Sequence, residues 1–240
     1  GTPNDNRITT RYNQEDFTES LMGVLHETGH AMYESGLPHE YISQPVGSSL
    51  GMTIHESQSL LMEMQVCRSM PFMKFVSKIL PEYFGESESF SPQNLYRLYN
   101  YVEPSLIRVD ADEVTYPLHV IARYEIEKAL VEGDMEVDDI PSAWNEAYKK
   151  YLGVNVASDK DGCMQDIHWS DGSFGYFPTY TLGAMTAAQF YQTALEQNPQ
   201  IPEEIEKGDF SRLITWQREN IHSKGSLYSS RQLTKKVSGQ

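Results

Sequence analysis

Cysteine is nearly absent: Cys67 and Cys163 are the only two in 240 residues. Two thiols make no disulfide framework, so a reducing, cytoplasmic setting is expected. Positive charge is scarce as well. Against 34 acidic side chains stand 19 basic ones, a net charge of −15 that argues against nucleic acid or an anionic membrane as the main partner. Long apolar runs are missing: none nears the ~20 residues a membrane span needs, and no charged-then-apolar leader is expected. No internal repeat, low-complexity tract or linker divides the sequence, so one domain over residues 1–240 is expected. Aromatic residues are well supplied. Three Trp, 15 Tyr and 9 Phe make up 11% of the chain, which sets it apart from a disordered acidic tail.

What is present is helical periodicity. Phe17, Leu21, Val24, Leu25, Thr28 and Met32 recur at three- and four-residue steps, predicting a helix from about Glu15 to the stop signals Gly36 and Pro38. After a Gly/Ser-rich joint, a second helix is expected from about Thr53 to Ser69, with Pro71 breaking it. Others fit Pro92–Val102, Glu113–Val131, Ile140–Leu152, Tyr180–Gln197 and Phe210–Ser223. Residues 5–12, rich in β-branched side chains, read as extended and as a short β element. The fold class expected is mostly α: a multi-helix domain.

On the first helix, His26-Glu27-Thr28-Gly29-His30 forms the H-E-x-x-H pattern. Positions i and i+4 share a helix face, so both imidazoles can reach one cation, and Glu27 can approach a metal-activated water from the side. A catalytic zinc takes a third protein ligand. Position 36 is Gly, so the metzincin third His is absent. A carboxylate from the next helix is the alternative, and Glu56, within His55-Glu56-Ser57-Gln58, is placed to supply it.

His26–Tyr33 (HETGHAMY) followed by His55–Ser59 (HESQS) resembles the thermostable carboxypeptidase Taq family, the M32 metallocarboxypeptidases. Three further elements stand in the family's order. Asp5–Thr9 matches D-x-R-x-T, Ile107–Tyr116 matches an arginine-containing element, and Gly162–Trp169 matches G-x-x-Q-D-x-H-W, with Gly175–Tyr180 after it. The resemblance implies a zinc peptidase acting on peptides with a free C-terminal carboxylate, one ion per chain, cobalt or manganese being acceptable substitutes. It implies His26, His30 and Glu56 as metal ligands and Glu27 as general base, later returning the proton to the leaving amine. Family members are longer, with a helical N-terminal region and a His-Pro-Phe element. The expectation is therefore a metal-bearing C-terminal fragment of a catalytic domain, with homodimerisation of the full-length enzyme left open.

Other residues carry two readings each. His55 orients a neighbour of the metal or is a surface histidine. Asp166 suits a carboxylate holding a ligand imidazole, and His168 suits an electrophile to the oxyanion or a buried ring packing on Trp169. Tyr176 and Tyr180 compete for that oxyanion role, and Gln165 suits substrate backbone. Arg7, Arg11 and Arg108 are candidates to clamp a terminal carboxylate, against structural ion pairs. Cys67, Cys163 and the Met62, Met64, Met70, Met73 run read as packing residues. Two rival functions remain: another H-E-x-x-H…E peptidase, acting as aminopeptidase or oligopeptidase, or a metal-binding but inactive fragment.

Overall fold

A computed structural model describes residues 5–13 and 15–239. Among them the regular elements are helices, and none is long and apolar enough to cross a membrane. The chain forms two compact units, one from Gly1–Tyr99 and Leu182–Gln240, the other from Asn100–Thr181.

The first unit opens with α1 (Thr18–Ser35), α2 (Gly51–Leu60), α3 (Met70–Val76), α4 (Leu80–Phe84) and α5 (Pro92–Tyr99). Helix α1 begins three residues later than the pattern suggests, because Asp16 accepts hydrogen bonds from both the backbone and the hydroxyl of Thr18 (2.8 and 2.6 Å) and holds a turn ahead of it. The expected second helix runs as α2 and then widens into a π-helical turn, Leu61–Val66. That run ends at Val66, ahead of Pro71, which sits instead in the first turn of α3, where its missing N–H is harmless and Ser69 supplies the cap. Residues 5–12, expected to hold a short strand, carry neither helix nor strand. Among the described residues no strand offers them a ladder, and Asn6 bonds instead to the carbonyl of Ala31 (3.4 Å).

In the second unit, α6 (Tyr116–Glu132) and α7 (Ile140–Tyr151) pack through Ala122, Ile126, Trp144 and Tyr148. Helix α6 starts late because Asp112 binds the backbone N–H groups of Val114 and Thr115 (2.8 and 2.9 Å) in a turn. Helix α8 (Pro178–Gln197) leaves this unit and enters the first, which α9 (Ile201–Glu206), α10 (Ser211–Asn220) and α11 (Ser230–Ser238) complete. The core of the first unit gathers Tyr33, Ile54, Leu61, Met62, Met73 and Phe190, with Cys67 buried beside them. Both thiols are free, as the sequence suggests.

Two buried histidines tie pH to stability. Burial pushes His222, bonded to Gln58 (3.0 Å), down to about 3, helped by the charge of Arg218. Burial and the charge of Arg108 hold His119, bonded to Tyr148 (2.9 Å), at about 4. The unfolded chain, with an ordinary value near 6.5, takes up protons first, so this stability is complete above pH ~6.5 and drains away as pH falls toward the folded values. Between pH 7 and 5 the metal-free chain should lose on the order of 2 kcal/mol per histidine, read as a falling urea midpoint. His222→Gln should flatten that dependence; a variant as acid-sensitive as the wild type would contradict this account.

Candidate metal centre

Helices α1 and α2 run antiparallel and meet backbone to backbone. The contact is at Gly29, whose absent Cβ would stand 2.5 Å from the carbonyl oxygen of Gln58 and 2.6 Å from Cα of Ser59. Any side chain there would wedge the pair apart. Tyr33 ties the start of α2 down, its hydroxyl accepting from the backbone N–H of Leu50 (3.0 Å). From behind, α8 approaches so closely that a Cβ on Gly183 would lie 2.9 Å from Cβ of Glu56.

Glu56, 5% exposed, is thus pressed toward the one-turn pair His26 and His30. Its two oxygens stand 3.7 Å from Nε2 of His26 and 3.5 Å from Nε2 of His30, and the three donor atoms lie within 4.8 Å of one another. Those separations are longer than hydrogen bonds. They match a shared ion instead: donors ~2.1 Å from a tetrahedral cation stand ~3.4 Å apart. Two imidazoles and a carboxylate are also the donor set of open zinc sites. The residues fit the group.

The outer ring nitrogens have partners of their own. Nδ1 of His26 meets Glu63 (2.9 Å), which also pairs with Arg68. Nδ1 of His30 meets Nδ1 of His55 (2.6 Å), whose Nε2 faces Glu34 (2.7 Å). A carboxylate only accepts, so His55 donates from Nε2 and its Nδ1 is left as an acceptor for the His30 N–H. This frees Nε2 of His30 toward Glu56. Burial first, then the neighbouring His26 and His55, lowers His30 to about 3, so it stays neutral and ready to ligate. Burial also pulls His26 down, but the bond to Glu63 and the charges of Glu56, Glu63 and Glu27 outweigh it and raise its pKa.

Glu27 lines a cavity of about 530 Å³ with His30, Glu34, His39, Ser48 and Arg7. Arg7 is 79% exposed and pairs, among the described residues, with Asp5 (2.7 Å). Arg11, also exposed, is not on that cavity.

Six of the other nominated residues assemble within the second unit. Arg108, 5% exposed, donates through Nε and Nη2 to Asp166 (3.0 and 2.7 Å) and through Nη1 to Tyr116 (2.6 Å), with the ring of Tyr180 4.9 Å from its guanidinium. Gln165 accepts from the Arg108 backbone N–H (2.8 Å). Nε2 of His168 bonds to the Tyr180 hydroxyl (3.0 Å), and its ring packs on Tyr176 and Phe177. Trp169 instead stacks under the guanidinium of Arg123, 3.2 Å from the ring centre. Burial and the charge of Arg108 lower the His168 pKa. Sequence reasoning missed Gly29 and Gly183, whose signal is the lack of a side chain, and Glu34 and Glu63, which look like ordinary helix-surface acids until the neighbouring helix is in place.

The model of the carboxypeptidase Taq (M32) metallopeptidase family matches residues 1–240. Thermostable carboxypeptidase 1 of Thermus thermophilus is 44% identical over 238 residues, covering 99% of this chain and 47% of that protein. Carboxypeptidase 1 of Bacillus subtilis is 40% identical over 240 residues, covering 98% and 47%. Among solved structures, metallocarboxypeptidase 1 of Trypanosoma cruzi superposes with a TM-score of 0.94 at 45% identity, over 98% of this chain and 49% of that one. Pyrococcus furiosus carboxypeptidase gives 0.92 at 35%, over 96% and 46%. The chain spans about half the length of the curated relatives it matches.

The contact behind Glu56 yields a test. Gly183→Ala should push the carboxylate off its position and weaken divalent-cation binding by about 10-fold with helicity unchanged, as for other groups that orient a ligand. Unchanged affinity in a titration would show that α8 does not hold Glu56.

Proposed function

Because the chain belongs to the carboxypeptidase Taq (M32) metallopeptidase family, we propose that it is the metal-bearing half of a zinc-dependent carboxypeptidase, residues 1–240 serving as one catalytic domain. The observation carrying this reading is the convergence of His26, His30 and Glu56 within 4.8 Å, beside a cavity lined by Glu27. His26, His30 and Glu56 are the ligands, and zinc is the ion assigned, with cobalt or manganese accepted by the same donors. Bound there, a divalent ion would lower the pKa of a water to ~7 and polarise a carbonyl.

Glu27 is next to a ligand in sequence yet turns to the cavity, so it is free to serve the proton. It takes one from the attacking water and delivers it to the leaving amine, acting as base and then as acid. Arg7 is the clamp favoured for the terminal carboxylate: it shares the cavity with Glu27, and its exposed pairing with Asp5 is cheap to exchange. Arg108 already holds Asp166, which supports the ion-pair alternative for that residue and leaves Gln165 occupied with it. The oxyanion role expected of His168 and Tyr180 rests on the sequence reading: within the second unit they bond to each other, which occupies one of the two donors, and burial with the charge of Arg108 lowers the His168 pKa. Peptides with free C-termini are the substrates, and two unpaired buried thiols favour the cytoplasm.

Direction of attack decides between this reading and its rivals. One peptide, offered as free acid and as C-terminal amide, should be shortened from its C-terminus as the acid and at least ~30-fold more slowly as the amide, the loss typical of an unpaired clamp. Equal rates, or release from the N-terminus, would promote the aminopeptidase or oligopeptidase reading. Glu27→Gln should keep its metal while turnover drops ~100-fold or more; loss of the metal would make Glu27 a ligand.

A further inference from the structure

We infer that Glu63 is a positioning residue for the metal site: it fixes the rotation and tautomer of His26 so that Nε2 carries the lone pair toward Glu56. The inference rests on the ligand set proposed above and extends it to a residue seven positions beyond Glu56.

Glu63 lies in the π-helical turn Leu61–Val66 that continues α2. In a regular α-helix seven residues fall ~20° short of two full turns, so Glu56 and Glu63 already look toward the same neighbour. The wider π turn shifts the later position further, and such turns collect at functional sites. The antiparallel pairing of α1 and α2 then sets Glu63 beside His26 and His55 beside His30, one on each side of Glu56.

The two nitrogens of an imidazole point away from each other. Glu63 takes Nδ1 of His26 at 2.9 Å while Nε2 faces Glu56, so Glu63 stands outside the donor triangle and holds a ligand without being one. As an acceptor-only group it requires the proton on Nδ1, which leaves Nε2 bare. The carboxylate is itself restrained: its side chain is 12% exposed, and its other oxygen pairs with Arg68, 14% exposed. A structural ion pair between Glu63 and Arg68 needs no histidine. The His26 bond is the observation that pair leaves unexplained.

The test follows the chain with zinc and without it. Zinc competition against a chelating dye should show Glu63→Ala binding ~10- to 100-fold more weakly than wild type, with Glu63→Asp recovering part of the loss. In the metal-free wild type, above the His26 pKa, 15N NMR should find the Nδ1–H tautomer of His26, and Glu63→Ala should turn it into a mixture. A purely structural role would not move that signal. Wild-type affinity in a folded Glu63→Ala, or an Nε2–H tautomer in the wild type, overturns the inference; the wild-type spectrum settles the tautomer even if a variant does not fold. His26→Ala separates the two claims. If it keeps zinc, the ligand set itself is wrong. If it loses zinc while Glu63→Ala binds as wild type does, only the role of Glu63 falls.

Discussion

Everything at the candidate centre depends on how closely two helices approach. Gly29 lets α1 and α2 touch through their backbones, and that contact decides whether Glu56 meets the His26–His30 face or stops a side chain's width away. The surrounding core is built to keep them there: Tyr33 and Ile54, both fully buried, pack between the same helices, and Tyr33 also anchors the first residue before α2. A second close approach, α8 at Gly183, closes the far side of Glu56. Two missing side chains thus allow the close approaches that bring Glu56 to this face, because a Cβ at either position would collide with its neighbour.

Tight packing around charges has an electrostatic consequence. Glu56 and Glu63 are withdrawn from water beside two imidazoles, and an isolated buried carboxylate is expensive. The arrangement answers by pairing. Glu63 takes Arg68 and His26 and is held below the ordinary carboxylate range, burial being outweighed by the His26 bond and the Arg68 charge. His30 goes the other way and stays neutral. Both imidazoles end with Nδ1 engaged and Nε2 turned inward, by two different routes: directly through Glu63, and through His55 from Glu34. Inward-facing Nε2 atoms opposite a carboxylate make a cluster that could hold a divalent cation.

Much of this is legible from residue spacing. The four-residue step from His26 to His30 needs only helical geometry, and the short Gly/Ser joint makes Glu56 on the next helix a natural third donor. The π turn after Leu60 is not legible, because nothing in the apolar period from Ile54 to Val66 marks where the backbone widens. Short helices such as α3, α4 and α9 escape for a related reason: five to seven residues span too few turns to display a period. Helix starts move where an acid such as Asp16 or Asp112 builds a turn, a tertiary choice that periodicity does not record. The arginines show the same limit. Residue type alone treats Arg7 and Arg108 alike, whereas folding leaves one exposed beside Glu27 and buries the other against Asp166.

X-ray absorption on the cation-loaded chain tests the account most directly, since it counts and identifies ligands at the ion. With zinc, the proposed ligand set predicts one ion per chain bound by two imidazole nitrogens, with carboxylate or water oxygens completing the shell and no sulfur. His30→Ala should remove one imidazole from that shell or lose the ion. A thiolate in the first shell, a single imidazole in the wild type, or an unaltered spectrum in His30→Ala would contradict the convergence of His26, His30 and Glu56 on one cation.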